Sequence, residues 1–261
     1  MARRWKPSLA AAFVVGISLI LTAWEARAGH PLGTEDAATI GKGNLEVECN
    51  CERSHDREGN RTTSVGNNYT LGLFPKTELE MSFAYLFLQP DAASPNRRGF
   101  GDTRVTLKTS FHDGTGWMPA LGIKAGVLLP TGDETTGLGD GRTDGLLTLI
   151  ADWESGNIKV HANAGIEWTI LAAAGLARDT KTRWSLAAEW EPRQGWVLVS
   201  EYSWEKDGGT SKPVSDFLIG GRKDLVKNLT LDMGIRWGLN TASPTVAYLA
   251  GLTLALQPTS N

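Results

Sequence analysis

Four consecutive stretches between residues 99 and 170 alternate apolar and polar side chains, and no other feature restricts the fold of this chain as tightly. They run from Thr103 to Phe111, Trp117 to Leu129, Thr143 to Glu154 and Ile158 to Ile170. A strand sends successive side chains to opposite faces, so each stretch has one apolar face and one polar face. The last is the clearest: Ile158, Val160, Ala162, Ala164, Ile166, Trp168 and Ile170 stand against Lys159, His161, Asn163, Glu167 and Thr169. The connections alternate too, short at 112–116 and 155–157, long at 130–142. That is the plan of an up-and-down antiparallel barrel.

Carried along the chain, the pattern predicts twelve strands, at 43–54, 61–73, 77–88, 100–111, 117–129, 143–154, 158–170, 181–191, 196–205, 213–222, 228–238 and 245–256. An even strand number, with short turns at one end and long loops at the other, is what outer-membrane barrels show. The expected fold is therefore all-β, a transmembrane up-and-down antiparallel β-barrel of about 12 strands over residues 43–261. Ahead of it, Arg3, Arg4 and Lys6, an apolar run from Leu9 to Trp24, and Ala26-Arg27-Ala28 form a secretory signal peptide over 1–28. Residues 29–42 are too polar and Gly-rich for a strand and are read as a periplasmic lead-in, with a short plug as the alternative. No later run approaches the roughly 20 apolar residues of a spanning helix. Localisation in the outer membrane of a Gram-negative bacterium follows.

The phase of alternation decides which face meets lipid. One phase sends out Leu79, Met81, Phe83, Tyr85 and Phe87, then Val105, Leu107 and Phe111, and later Leu229, Leu231, Met233, Ile235 and Trp237. The other would put Arg104, Lys108, Lys124, Lys159 and Arg236 into hydrocarbon, at about 2–4 kcal/mol each near the midplane. The first phase is the expected one. Tryptophan checks it independently. Trp117, Trp153, Trp190 and Trp196 fall at the short-turn ends, and Trp168, Trp184, Trp204 and Trp237 at the long-loop ends. All eight face outward, as two membrane girdles, whereas a soluble sandwich would bury Trp in mid-strand. Mean hydropathy of −0.20 looks soluble, but half of each barrel strand faces a wet interior.

The inward face is charged. Candidate pore-lining residues are Arg104, Lys108, Lys124, Asp152, Lys159, His161, Asn163, Glu167, Arg183, Glu189, Glu201, Asp232 and Arg236. Inward acids outnumber inward bases. Such a set is either a water-filled lumen favouring cations and polar neutral solutes, or a paired network that closes a narrow barrel. The 130–142 loop supplies a candidate constriction through Thr131, Asp133, Glu134, Asp140 and Arg142. Its acids and glycines lack the EF-hand spacing, so no metal is expected there. Cys49 and Cys51 are read as small apolar fillers on one face, since two cysteines two apart on a strand sit near the 7 Å limit for a disulfide.

Neither catalysis nor a cofactor is expected. His161 and Asn163 share an inward face, whereas a barrel that cleaves lipid would have to present its His and Asn to the bilayer, and no activated Ser is identifiable. Loss of Arg3, Arg4, Lys6, Arg27 and Glu25 with the signal takes the formal charge from −3 to about −6. Without a basic patch, nucleic acid is not an expected partner.

Three segments, HPLGTEDAATIGKGNLEVE, GFGDTRVTLKTSF and PALGIKAGVLLPTGDETTGLGDGRTD, together with VHANAGIEW, carry a family likeness. The chain resembles the bacterial "meta-pathway of phenol degradation" outer-membrane transporter-like family. The resemblance implies an outer-membrane barrel that passes small solutes, with aromatic or hydrophobic compounds as candidates. It supplies no catalytic residues. One departure is the C-terminus: outer-membrane barrels end on an aromatic read by the assembly machinery, and this chain ends LALQPTSN. Expected partners are outer-membrane lipid, a small-molecule solute and the barrel-assembly machinery. The runner-up is a structural or surface-binding barrel with a closed interior, working through loops 55–60, 89–99 and 171–180.

Overall fold

The computed structural model of the chain describes residues 29–91, 95–172, 175–209 and 212–257. The segment read as a signal peptide, 1–28, lies outside them, as do the chain's last residues. The strands are β1 (Leu45–His55), β2 (Arg61–Phe74), β3 (Thr77–Gln89), β4 (Arg97–Phe100), β5 (Thr103–Thr115), β6 (Met118–Leu129) and β7 (Arg142–Ser155). Then come β8 (Ile158–Ala172), β9 (Thr180–Arg193), β10 (Trp196–Asp207), β11 (Val214–Val226), β12 (Leu229–Gly238) and β13 (Val246–Leu256). Every pairing is antiparallel, and β1 pairs with both β2 and β13, so the sheet closes on itself.

β4 and β5 both pair with β3 and act as one stave, which makes this a closed 12-strand barrel. The strand expected without interruption over 100–111 is thus broken at Gly101 and Asp102. The cause is local. The Asp102 carboxylate turns to accept the backbone N–H groups of Gly132, at 2.9 Å, and Asp140, at 2.8 Å. Meanwhile the Gly101 amide keeps its bond to the Ala84 carbonyl at 2.9 Å, holding the stave on β3.

The barrel is apolar outside and polar inside, the inverse of a soluble protein. Leu107, Leu149, Ile166, Met233 and Tyr248 are exposed, while Lys108, Lys124, Glu167, Asp232 and Thr253 are buried. This is the phase expected from the cost of charge in lipid. Seven girdle tryptophans are exposed on the outer wall, and Trp204 stacks on Trp184 with ring centroids 6.4 Å apart. Cys49 and Cys51 are unpaired thiols on that outer face, in line with Leu45 and Val47. One apolar patch faces inward instead: Val199, Leu218, Ala247 and Leu249, packed by Leu32 from the N-terminal segment.

Candidate functional site

The lumen is crossed by the chain's own N-terminal segment. Residues 29–42, read as a periplasmic lead-in with a short plug as the alternative, run inside the barrel, and carboxylates on the wall hold their backbone. The Glu201 carboxylate accepts the amides of Gly33 and Thr34, both at 2.7 Å, and the Thr34 hydroxyl at 2.8 Å. Asn163 accepts the Glu35 amide at 2.7 Å and donates to the Glu35 carbonyl at 3.0 Å. Asp152 accepts from Ala37 at 2.6 Å and Glu78 from Ile40 at 2.7 Å. His30 pairs through Nδ1 with Asp232. These partners stand on β3, β7, β8, β10 and β12, so the segment can only lie within the ring.

The physical reason is a match of needs. A segment without helix or sheet leaves backbone N–H groups that must find acceptors when buried. A wall with more carboxylates than cations has acceptors to offer, and hydrogen bonds to charged groups contribute about 1.5–3 kcal/mol each. Two lysines complete the match from the other direction. Lys108 meets Asp36 at 3.1 Å and Glu78 at 2.9 Å, and Lys124 meets Glu35 at 2.5 Å and Glu80 at 3.1 Å. Burial pushes the Glu35 carboxyl up, but Lys124 and Lys108 outweigh it and leave that group below its ordinary value. Inward glycines make room. A Cβ on Gly122 would stand 3.3 Å from Ala37 Cα, and one on Gly234 3.1 Å from Pro31 Cβ.

Beneath the segment, a cavity of about 720 Å³ opens toward the short-turn end, lined among others by Glu46, Glu48, Lys159, His161, Glu189 and Arg222. His161 Nδ1 lies 2.9 Å from Asp152, and its Nε2 lies 3.6 Å from Glu189, which pairs with Arg222 at 2.5 Å. Lys159 stands at the mouth, half exposed and 3.6 Å from Glu154. Above the segment, Glu167 is buried beneath three cations: Arg183 at 2.7 Å, Arg104 at 3.3 Å and Lys181 at 3.4 Å. Arg236 pairs with Glu52 at 3.1 Å nearer the long-loop rim.

The 130–142 loop folds onto the inner face of β3 and β4. Leu138 is buried with its side chain over Gly99, and Arg97 donates to the Thr136 carbonyl at 2.5 Å. Thr131, Asp133, Glu134 and Asp140 remain exposed. Asp133 caps a single 3₁₀ turn (Glu134–Thr136), and bonds from the Thr135 and Thr136 hydroxyls hold its carboxyl below the usual range. Arg142 lies 3.5 Å from Asp140 and 3.9 Å from Asp179. Asp102 fastens the whole loop. Asp102→Ala is expected to cost the loop about 2 kcal/mol of local stability. Hydrogen exchange at the Gly132 and Asp140 amides should accelerate accordingly.

The pore-lining expectation thus meets three different environments, the first being the short-turn cavity lined by Lys159, His161 and Glu189. Lys108, Lys124, Asp152, Asn163, Glu201 and Asp232 hold the N-terminal segment, while Arg104, Glu167, Arg183 and Arg236 line the space on the long-loop side. Sequence reasoning did not single out Thr34, Glu35, Asp36, Ala37 and Ile40 as partners, nor Lys181. The available signal was the inward carboxylate surplus itself, which called for donors that the strands did not contain. His161 and Asn163, which share the inner face of β8, have different partners: Asn163 binds the segment and His161 binds Asp152.

Two solved structures share the architecture. An outer membrane channel from Pseudomonas putida F1 superposes with a TM-score of 0.64 at 16% identity, covering 86% of this chain and all (100%) of that one. The NanC porin superposes with a TM-score of 0.58 at 9% identity, covering 80% of this chain and 98% of that one. At such identities the likeness is one of fold. No curated protein sequence matches the chain. A family model described as "Putative MetA-pathway of phenol degradation" matches residues 28–256.

Proposed function

This chain belongs to the MetA-pathway of phenol degradation family, and from that premise we propose that it is an outer-membrane channel for small solutes, aromatic compounds among them. The observation that carries the reading is a charged lumen with a polar-lined cavity inside a closed barrel with an apolar outer wall, interrupted by one short segment of chain. Arg104 and Arg183 pair with Glu167 yet each keeps about a third of its side chain exposed on the inner wall, where a solute can reach them. The folds of an outer membrane channel and a porin support the same reading. Solutes enter past the 130–142 loop, reach the Arg104–Glu167–Arg183 level, and pass toward the short-turn cavity when the N-terminal segment yields.

The direct test is conductance of the refolded protein in a planar bilayer, followed by uptake of phenol and benzyl alcohol into liposomes. Discrete steps and solute-dependent uptake support the channel. A correctly folded barrel that stays silent with and without its N-terminal segment belongs to the runner-up class, a closed structural barrel.

Acid should open it. The folded value of Glu35 is lowered, so its contribution to docking is complete above the ordinary carboxylate range. It is lost as pH falls through that lowered value, below the ordinary carboxylate range. Open probability should therefore rise on acidification and fall again on return to neutral pH. Glu35→Gln should be more open at neutral pH and less responsive to acid.

A further inference from the structure

The outer wall is not uniform at the height of the long-loop girdle. On β8, β9, β10 and β12 that height carries Trp168, Trp184, Trp204 and Trp237, with Lys206 beside them. On β1, β2 and β4 it carries Arg53, Arg61 and Arg98, all exposed. The strand register fixes the arrangement. Arg53 faces Thr63, Thr63 faces Phe87, and Phe87 faces Arg98, which makes one row in hydrogen-bond register across four staves. Arg61 pairs with His55 one outward position higher, and His55 in turn faces Val246, which faces Trp237. The arginines therefore cluster at the long-loop ends of β1, β2 and β4, on a side of the barrel where those ends carry no tryptophan.

Directly below the row lies an aromatic floor. Tyr85 sits with Phe87 at 5.1 Å and with Phe100 at 5.2 Å between ring centroids. Beside Arg61, the top of the β1–β13 seam carries an outward groove of about 570 Å³ lined by His55, Asp56, Arg57, Thr245, Val246 and Tyr248. Among the described residues, Arg53, Arg61 and Arg98 have no ion-pair partner. The rim acids lie in the loops above: the Asp56 carboxylate accepts from the amides of Glu58 and Asn60, and Glu58 and Asp91 lie beyond it.

We propose that this face, on β1–β4 and the β1–β13 groove, binds a phosphate-bearing lipid of the outer leaflet. The proposal rests on the outer-membrane reading, which sets this height at the headgroups. Arg presents a planar fork of N–H donors that matches phosphate oxygens in pairs, and it stays charged at every relevant pH. Three such groups spread over four staves span about 14 Å at a strand spacing of 4.8 Å. That spacing suits a headgroup with more than one phosphate. The aromatic floor takes the acyl chains at the boundary, and the groove takes the sugar or glycerol body.

Native mass spectrometry of the full mature protein, with bisphosphorylated lipid A and with phosphatidylcholine as probes, tests this. Lipid A should be retained in preference to phosphatidylcholine. Arg53→Gln, Arg61→Gln and Arg98→Gln together should weaken retention by on the order of tenfold or more, and Lys206→Gln should leave it unchanged. The heat-dependent gel shift of each variant confirms that it is folded, and Arg61→Gln alone serves if the triple variant is not. Equal retention of the two lipids, or full retention by the folded variants, overturns the proposal. Conductance on the same samples is a separate readout, so a silent barrel that still retains lipid A refutes the channel and leaves the lipid face standing.

Discussion

Removing residues 29–42 should raise single-channel conductance several-fold and is the largest functional change expected of any alteration to this protein. A twelve-stranded barrel has a narrow lumen, and one extended segment across it occupies much of the cross-section. The segment contributes no strand, and the β1–β13 seam that closes the barrel begins at Leu45, so the truncated chain should still fold. The comparison must be made between samples that both show strand-dominated circular dichroism and a heat-dependent gel shift. A subtler variant tests the same idea without a deletion. Gly234→Leu places a side chain where Pro31 lies, and it should give intermediate conductance with frequent opening. Unchanged conductance in both would show that the segment does not limit flux.

The largest effect on stability should come from charge on the outer wall. Leu149 lies midway along β7, 55% exposed, facing Ile123 and Ala164 on the neighbouring staves. Leu149→Arg would place a guanidinium near the bilayer midplane, at a cost of about 2–4 kcal/mol. The neighbouring Thr148 faces the lumen, so Thr148→Arg should cost markedly less although the two positions are adjacent in sequence. Denaturant-dependent folding into lipid vesicles reads both differences. The reverse order would mean that the wall is turned inside out.

Most of the barrel was legible in the sequence because its signal is local. Two-residue periodicity, turn length and the heights of the tryptophans are each contained within a strand or a hairpin, and lipid forbids the wrong phase. The break at Gly101–Asp102 was not legible, since it depends on amides 30 and 38 residues away that draw Asp102 out of the ladder. The N-terminal segment was harder still. Nothing within GHPLGTEDAATIGK says whether it lies outside or inside a ring. The answer lies in side chains such as Glu201 and Asn163, whose inward direction was predictable but whose occupant was not. The arginine row had the same character: Arg53, Arg61 and Arg98 are unremarkable one by one, and only the register across β1–β4 aligns them.

The N-terminal segment also imposes an order of assembly. It precedes every strand of the barrel in sequence, yet its anchors are separated from it by 38 residues at Glu78, 167 at Glu201 and 202 at Asp232. Closing loops of that size before their ends are held is entropically unfavourable, so such contacts form late. The site that receives the segment does not exist until β12 has joined the wall. The barrel is therefore born open, and what is made first is locked last. A newly inserted molecule should leak briefly before it seals, and the interval between insertion and sealing should lengthen in any variant that weakens the segment's grip.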